Sequence, residues 1–407
     1  MHNLYQKKLK SGVHVVYERI SYASMVSIHY IFNRGHFTEK FSQKGMTTLL
    51  SSLMDRGCKG YTENQMQRFL HRNQIDVEPI MGNHFFGLEA FTPLTNYQKA
   101  FTLMTAMLQT PTLDSDHIEE EKKAMIEDIV KLQDDPEEIL VQYFFDAFFS
   151  DHPYAKHAWG SVETIQNITK QDLQAHLQYL LEGKAMIHVV GNIDPDELFD
   201  FLNANIQDLF SIAPEIQQNI SFKVEAANLK IASKFTKLYG IMGFPICTAQ
   251  HQDRFALDWI RTYFINGQGG KLFEKIREEH GLVYSIDCTN SMLRYGGCML
   301  ISYSAETQAE ESIDQLLEYE IAMIQKEKIS SKDFEKCMNY IEGSSIIEWD
   351  PPSNHASFYD QAMLYGTSID YQSELTQILS LTPDDILRVA RTYFSGPRVN
   401  VKMIPKL

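Results

Sequence analysis

Arg277 and Tyr284 have the clearest capacity for chemistry in this sequence. They lie seven positions apart in the segment Gly269–Ser285, which reads GGKLFEKIREEHGLVYS. A guanidinium and a phenol can both donate hydrogen bonds to a peptide carbonyl, or to an oxyanion that develops on it. The chemistry of the pair is therefore compatible with a role in holding a peptide substrate. The alternative is structural, with Arg277 paired to Glu274 or Glu278 on its own helix.

Several hydroxyl residues, among them Thr48, Ser51 and Ser52, lie within a second predicted helix at about 45–55. A neutral hydroxyl is a poor zinc ligand, and it cannot act as the carboxylate base that activates water. A serine nucleophile would need a neighbouring base, and the same helix contains no histidine. The simpler interpretation is that these small side chains fill space.

These residues belong to predicted elements that occur in the same order in both halves of the chain. The first half contains strands at 13–17 and 25–31, helices at 45–55 and 63–72, a strand pair at 76–91, and helices at 95–108, 114–133 and 136–149. The second half contains a strand at 236–244, helices at 252–264 and 271–278, and two strands within 285–304. Strands and helices without strict alternation predict an α+β fold, in which helices pack on mixed or antiparallel sheets.

Each half also ends in the same way. Thr169 and Thr382, whose positions differ by 213, each begin an N-capped helix that is followed by a glycine and a buried strand. A repeat of this length indicates a duplicated domain rather than a solenoid, whose periods are about 20–50 residues. We predict two homologous domains, 1–208 and 230–407, joined by a polar linker at 209–229.

The composition excludes several classes of partner. The 37 basic and 53 acidic side chains give a net charge of −16, which repels nucleic acid and anionic lipid. No apolar run approaches the ~18 residues needed to cross a bilayer. Five cysteines, odd in number and never in a C-x-x-C pair, favour a reducing compartment. We expect a cytoplasmic protein, or a periplasmic one if a signal peptide has been removed, with no nucleic acid or membrane partner.

The helix segment at 45–57 resembles the active-site helix of the pitrilysin/insulinase metallopeptidases. In that family the helix carries the zinc motif H-x-x-E-H, in which two histidines hold the metal and the glutamate activates water. Thr48, Ser51 and Ser52 stand at the motif positions. The resemblance therefore implies a peptidase scaffold whose zinc ligands have been lost.

Two further positions of the family motif are altered. A glutamate on a distant helix is the family's third zinc ligand, with an acid seven residues before it, and Asp128 and Glu121 match this pair. One shortened carboxylate remains, so we expect no metal on this chain.

At the edge strand with which the family pairs its substrate, the matching residues are Glu78 and Pro79. Proline has no N–H to offer a peptide strand, so peptide docking there should be impaired.

The segment Gly269–Ser285 resembles the most recognisable carboxy-terminal segment of the family, and the resemblance covers nearly the whole chain. Arg277 and Tyr284 match an Arg/Tyr pair that reaches the substrate and the metal-bound intermediate in the partner domain. The resemblance implies two domains of the pitrilysin/mitochondrial-processing-peptidase type. Each would be a mostly antiparallel sheet packed with helices, and the two would close like a clam around a central chamber.

The resemblance further implies a non-catalytic subunit of a heterodimeric zinc peptidase. Such a chain would be inactive alone and would need no cofactor of its own, because a homologous partner subunit supplies the zinc and the base. Its substrates would be peptides or unfolded polypeptides. An inactive peptidase-fold scaffold or peptide-binding protein, for instance a homodimer, is the alternative interpretation. A free-standing hydrolase with another nucleophile is the third.

Overall fold

The computed structural model of the protein describes residues 3–155, 158–206 and 223–406. The strands are β1 (Asn3–Lys8), β2 (His14–Arg19), β3 (Met25–Phe32), β4 (Gly57–Cys58), β5 (Tyr61–Thr62), β6 (Asp76–Met81), β7 (Phe86–Pro93), β8 (Ala185–Gly191), β9 (Ala227–Ser233), β10 (Leu238–Ile246), β11 (Val283–Met292), β12 (Gly297–Ala305) and β13 (Val399–Pro405). The helices are α1 (Met46–Ser52), α2 (Glu63–Asn73), α3 (Tyr97–Gln109), α4 (Ser115–Leu132), α5 (Pro136–Phe149), α6 (Val162–Asn167), α7 (Lys170–Leu181), α8 (Pro195–Asn205), α9 (Arg254–Phe264), α10 (Glu310–Lys326), α11 (Ser331–Trp349), α12 (Pro352–Tyr365), α13 (Tyr371–Leu379) and α14 (Pro383–Phe394). The chain divides into two compact units, each built on one large sheet.

The first unit comprises Met1–Lys131, Lys156–Gln218 and Trp349–Leu364. Its six strands are ordered β1-β2-β8-β3-β7-β6, and all neighbours are antiparallel except β2 and β8. β8 is buried along its whole length. A strand covered on both faces needs apolar residues at nearly every position, which explains why its sequence lacks the usual alternation.

The second unit comprises Leu132–Ala155, Asn219–Glu348 and Tyr365–Leu407. Its five strands are ordered β11-β12-β10-β13-β9, with β9 parallel to β13 and the other neighbours antiparallel. Taken from β9 to β11, this order corresponds to β2-β8-β3-β7-β6 of the first sheet, so β1 is the strand of the first sheet without a counterpart. The predicted α+β fold, with two homologous domains and mostly antiparallel sheets, is confirmed.

Capping hydrogen bonds fix where the repeated helix begins in each unit. Thr169 accepts the backbone N–H of Asp172 at the start of α7, and the Asp172 carboxylate accepts the N–H of Thr169 in return. Thr382 and Asp385 make the same reciprocal pair at α14. A capping box satisfies two donors that a helix end leaves open. Both predicted helix-to-strand units, α7 with β8 and α14 with β13, are present.

Each unit is completed by a helix from the other half of the sequence. α5 belongs to the second unit, and α12 belongs to the first. Phe144 of α5 packs on β10 at Gly243, where a Cβ would collide with the phenyl ring. An aromatic face therefore fastens α5 to its sheet, whereas α12 brings polar side chains to its own.

The predicted helix at 271–278 is present but differs in type, because Phe273–Glu279 form a π-helical segment. Gly281 follows it with a φ of 62°, and its N–H donates to the carbonyl of Arg277 (3.0 Å). Glycine adopts this left-handed conformation without steric cost, so it ends the segment. π-helical turns are rare, and they are frequently found at functional sites.

The predicted linker at 209–229 falls largely on residues 207–222, which lie outside the described residues. The domain boundaries at 208 and 230 therefore stay predictions. Within the described ranges, no helix is both long enough and apolar enough to cross a membrane.

Candidate functional site

The hydroxyl residues at the three motif positions of α1, Thr48, Ser51 and Ser52, are engaged inside the first unit. Thr48 and Ser51 are buried, and Ser52 is partly buried. Each hydroxyl donates its hydrogen to a nearby acceptor. The acceptors are the carbonyl of Ala158 for Thr48 (2.8 Å), the carbonyl of Leu49 for Ser52 (2.9 Å) and the sulfur of Met81 for Ser51 (3.0 Å). These side chains stabilise the packing of α1, and within the described ranges none of the three hydroxyls is bonded to a base that would activate it as a nucleophile.

The two acidic positions of α4 have different surroundings. Glu121 is mostly buried and accepts a hydrogen bond from Nε of Arg56 (2.9 Å), whose guanidinium also bonds Glu63 (2.8 Å). Asp128 is half exposed and pairs with Lys131 one turn along the same helix (2.8 Å). Glu121 thus anchors α4 to the segment after α1, whereas Asp128 is part of a solvated helix surface.

Glu78 and Pro79 lie in β6, the last strand of the first sheet as described. Glu78 is exposed and pairs in register with Glu89 of β7, and Pro79 pairs with Leu88. The structure therefore places a residue without an N–H at an edge from which a peptide strand would need donors.

Arg277 and Tyr284 lie together at the exposed start of β11. The Arg277 guanidinium donates to the backbone carbonyl of Tyr284, and the Tyr284 hydroxyl donates to Glu306 of the same unit. Tyr284 is 47% exposed, and Nζ of Lys237 lies 4.1 Å from its ring centroid. The hydrogen bond to Glu306 raises the pKa of Tyr284, so the phenol stays protonated and remains a donor at neutral pH.

Two sequence models of one family match this chain. The model described as "Insulinase (Peptidase family M16)" matches residues 14–161, and "Peptidase M16 inactive domain" matches residues 167–341. The chain belongs to the peptidase M16 family. An uncharacterized zinc protease of Rickettsia felis is 22% identical over 403 residues, which cover 96% of this chain and 94% of that protein. Another, YmxG of Bacillus subtilis, is 20% identical over 86% of this chain and 85% of its own length.

Solved structures share the whole M16 fold of this chain. A protease from Helicobacter pylori has a TM-score of 0.90 at 18% identity, with both chains fully covered. A peptidase M16 inactive domain from Pseudomonas fluorescens has a TM-score of 0.92 at 16% identity, covering 100% of this chain and 99% of that one. The periplasmic protease PqqL of Escherichia coli has a TM-score of 0.85 at 16% identity, and the match covers 99% of this chain and 46% of the PqqL chain. Identities this low establish the fold alone.

Membership of the M16 family implies zinc at α1, but the residues present do not fit that metal. Zinc in proteins is held by thiolate, imidazole and carboxylate, whereas the three motif positions of α1 carry hydroxyls that already donate to internal acceptors. Asp128, the remaining carboxylate, is paired with Lys131. Across the part of the chain that the structure describes, no three His, Cys, Asp or Glu side chains are grouped as a metal would need. We assign no metal-dependent step to this helix.

The sequence analysis missed a buried polar cluster at the N-terminus of α1. The Glu39 carboxylate accepts the backbone N–H groups of Thr47 (2.6 Å) and Gly45 (3.2 Å), and the Thr47 hydroxyl bonds Nε2 of His176 (2.8 Å). Burial alone would raise the pKa of Glu39, but hydrogen bonds from His36 and Thr47 hold it below its usual value. Burial lowers the pKa of His176 to about 4, so this imidazole is neutral at pH 7. A charged carboxylate therefore caps α1.

A second missed cluster lies where α12 covers the first sheet. Asp360 of α12 accepts hydrogen bonds from Nδ1 of His29 (2.6 Å) and Nδ1 of His188 (2.5 Å), which are paired residues of β3 and β8. Nε2 of His29 lies 3.3 Å from the Glu89 carboxylate. This contact is attractive only if either the ring nitrogen or the carboxylate carries a proton. Burial raises the pKa of Glu89, and although burial acts the same way on Asp360, the two histidines hold the pKa of Asp360 below its usual value.

No local spacing could have revealed this second cluster. His29 and Asp360 are separated by 331 positions, and His29 and His188 meet only through the strand order of the sheet. A histidine in an apolar strand is the one signal that the sequence offers, and it indicates a hydrogen-bonded group rather than a particular partner.

Proposed function

We propose that this chain is the non-catalytic subunit of a two-subunit M16 peptidase, in which Arg277 and Tyr284 position the peptide for a zinc-bearing partner. The observation that carries the proposal is the bond between the Arg277 guanidinium and the Tyr284 carbonyl, which holds two donors side by side on an exposed surface. A guanidinium has five N–H donors, so one carbonyl leaves others for a substrate. The shared M16 fold, with its match to an inactive peptidase domain, supports the coarser part, an inactive peptidase-like scaffold.

Tyr284 must exchange one hydrogen bond to act on a peptide. Its hydroxyl donates to Glu306 in the free chain, and half of the side chain is exposed. Replacing one exposed hydrogen bond by another costs little, typically ~1 kcal/mol or less. The Lys237 ammonium packs over the ring, which keeps the phenol in place while its hydroxyl turns to a peptide carbonyl.

The partner in this proposal is a homologous subunit that retains H-x-x-E-H and supplies both the zinc and the base. This chain supplies hydrogen-bond donors to the scissile carbonyl and to the oxyanion that forms on it. It takes no zinc itself, so elemental analysis of the purified chain after zinc loading and gel filtration should find no stoichiometric metal. One tightly held zinc per chain, lost in Asp128→Ala, would contradict this part of the proposal.

The decisive experiment is hydrolysis of a fluorogenic peptide by the reconstituted pair. Arg277→Ala and Tyr284→Phe should assemble normally but lower turnover by ~10²–10³, the usual effect of losing one oxyanion donor. Tyr319→Phe, an equally conservative change at an exposed tyrosine of α10, is the matched control and should leave turnover unchanged. Ser51→Ala, which removes only an internal hydrogen bond, should also leave turnover unchanged.

A scaffold function is the second candidate, and two observations favour it. Both Arg277 and Tyr284 already have bonding partners within their own unit, and Pro79 interrupts the donors of the edge strand β6. If the scaffold interpretation is right, the zinc-bearing partner will bind this chain and hydrolyse peptides equally well with either variant. The same assay therefore separates the two functions.

We also infer a cytoplasmic location for this chain. All five cysteines are buried free thiols, which suits a reducing compartment better than an oxidising one. The relative from Escherichia coli is a periplasmic protease, so fractionation of the native organism, with antibody detection in the periplasmic and cytoplasmic extracts, is the appropriate test.

A further inference from the structure

The second unit contains a cavity of about 340 Å³ on the α10 side of its sheet, away from Arg277 and Tyr284. Strands β9 and β13 contribute cationic side chains to its wall, and α10 contributes acidic ones. Ligand pockets have volumes of roughly 300–1,000 Å³, so this cavity suits a small molecule. None of the residues of the proposed peptidase site lines it.

Tyr303 of β12 brings an unused donor to this cavity. The residue is only 4% exposed, and its hydroxyl has no hydrogen-bond partner among the described residues. Its ring crosses β10 at Gly240, where a Cβ would collide with the ring and the hydroxyl. Gly240 pairs in register with Lys402 of β13, so the ring leads towards the cationic wall. Burial, together with the carboxylates of Asp314 and Glu310, raises the pKa of Tyr303, which keeps the hydroxyl protonated.

Asn400 of β13 brings an unused acceptor. Its Nδ2 donates to Oδ1 of Asn228 (2.6 Å), but its own Oδ1 is buried and has no partner within the described ranges. Buried polar groups are almost always hydrogen-bonded, so a donor and an acceptor left open in one cavity call for a ligand that offers both.

The charges around the cavity cancel, which defines the net charge of the ligand. Nζ of Lys402 bonds Asp314 (2.5 Å) and Glu310 (2.9 Å), and Glu310 also bonds Lys230 (2.8 Å). Arg398 pairs with Glu318 by two hydrogen bonds. Three cations therefore face three carboxylates. A ligand with a net charge would leave that charge uncompensated, whereas a molecule with one charge of each sign would not.

We propose that this cavity binds a small zwitterion with the chemistry of a free amino acid or dipeptide. Its carboxylate accepts from the Tyr303 hydroxyl and the Lys402 ammonium. Its ammonium donates to Oδ1 of Asn400 and to the Asp314 carboxylate. The site is independent of the proposed peptidase function, because it uses neither Arg277 nor Tyr284.

Calorimetric titration of the full chain with L-alanyl-L-alanine tests the proposal. The free dipeptide should bind, and its N-acetylated and C-amidated forms should each bind at least ~10-fold more weakly, because each lacks one of the two charges. Tyr303→Phe keeps the ring over Gly240 and removes only the donor, so it should weaken binding by ~5–10-fold. Tyr239→Phe is the matched control, because residue 239 lies next to Gly240 on the opposite face of β10, and it should bind like the wild type.

Three results would overturn the proposal. One is the absence of binding by the wild type at dipeptide concentrations up to ~10 mM. Another is equal affinity for the free dipeptide and the doubly capped, uncharged form. The third is unchanged affinity in a Tyr303→Phe chain whose thermal melting shows that it is folded. Peptide hydrolysis by a reconstituted pair is not a readout here, so failure of this proposal and failure of the peptidase proposal are distinguishable.

Discussion

Thr48, which the sequence analysis expects at a zinc-ligand position of the family motif, is buried within a well-packed helix. Its hydroxyl donates to a backbone carbonyl, so the side chain satisfies a structural need and offers nothing to a metal. The same applies to Ser52, which bonds within its own helix. These residues of α1 therefore serve packing, while the Glu39 carboxylate caps the helix by accepting the N–H groups of Gly45 and Thr47.

His176 gives the clearest pH dependence at the scale of one residue. Burial lowers its folded pKa to about 4 from an ordinary 6.5, so the unfolded chain takes up this proton first as the pH falls. The free energy of unfolding should therefore decrease between about pH 6.5 and pH 4, by up to ~1.4 kcal/mol per pH unit from this group. His176→Gln, which retains a partner for Thr47, should remove that part of the slope in urea titrations across this range.

The exposed histidine of α2 provides the control for that measurement. His71→Gln makes the same substitution on the solvent side of its helix, so it should leave the free energy of unfolding at pH 7 as it is in the wild type. An unchanged slope in His176→Gln would show that another group is responsible.

Residue patterns predicted some of the site and missed the rest for a physical reason. Arg277 and Tyr284 are seven positions apart, so a local segment sufficed to single them out, and the structure brings them into contact. The partners of His29 and Thr47 come from distant segments, and only the folded strand order brings them together. Burial and long-range pairing leave little trace in local spacing.

At the scale of elements, α5 and α12, the two helices that pack in the unit of the other half of the chain, contact their sheets through different kinds of interaction. α5 packs aromatic rings on its sheet, with Phe144 seated on Gly243. α12 docks through polar side chains: Asp360 bonds two histidines of the sheet, while His355 and Tyr359 bond Glu18 of β2 (2.6 and 2.7 Å). Apolar docking is insensitive to pH, whereas a buried carboxylate that faces two imidazoles is not.

Asp360→Asn tests this polar docking of α12. An amide cannot accept from both His29 and His188 as a carboxylate does, so the variant should lose ~3–5 kcal/mol of unfolding free energy at pH 7. The folded pKa of Asp360 is lowered, so its contribution is present above about pH 4 and is lost as the pH falls towards the lowered value. Denaturant unfolding should be measured at pH 7 and near pH 3. Between these two pH values the free energy of unfolding should fall by a large amount in the wild type and by a smaller amount in Asp360→Asn.

Hydrogen exchange can locate the effect of this substitution. The amides of α12 should exchange faster in Asp360→Asn, while those of α5 should not change. Asp350→Asn, an equal change at an exposed position just before α12, should alter neither stability nor exchange. Equal stability of the wild type and Asp360→Asn at pH 7 would contradict the polar docking.

At the scale of the whole molecule, the repeat of the sequence predicted the repeat of the fold. Capping signals such as those at Thr169 and Thr382 are local, so they correctly mark matching helices in the two units. The exchange of α5 and α12 between the units has no local signal, because the partners of each helix are distant in sequence, as Asp360 is from His29 and Phe144 is from Gly243. The π-helical form of Phe273–Glu279 was likewise invisible, since the same residues suit an ordinary helix.

Because α12 belongs to the first unit, we expect a fragment that lacks this helix to be unstable. A fragment of residues 1–208 lacks α12, so the histidines of its sheet lose Asp360 and the Glu18 carboxylate loses both of its donors from α12. Buried polar groups without partners are costly, so this fragment should be far less stable than the full chain or should fail to fold. Fusing residues 349–366 to its end through a flexible Gly/Ser linker should restore cooperative urea unfolding. The same fusion with Asp360→Asn should restore it only partly, because the helix then returns without its carboxylate. If the bare fragment 1–208 unfolds as cooperatively and at the same urea concentration as the fused one, then α12 is not an integral part of the first unit.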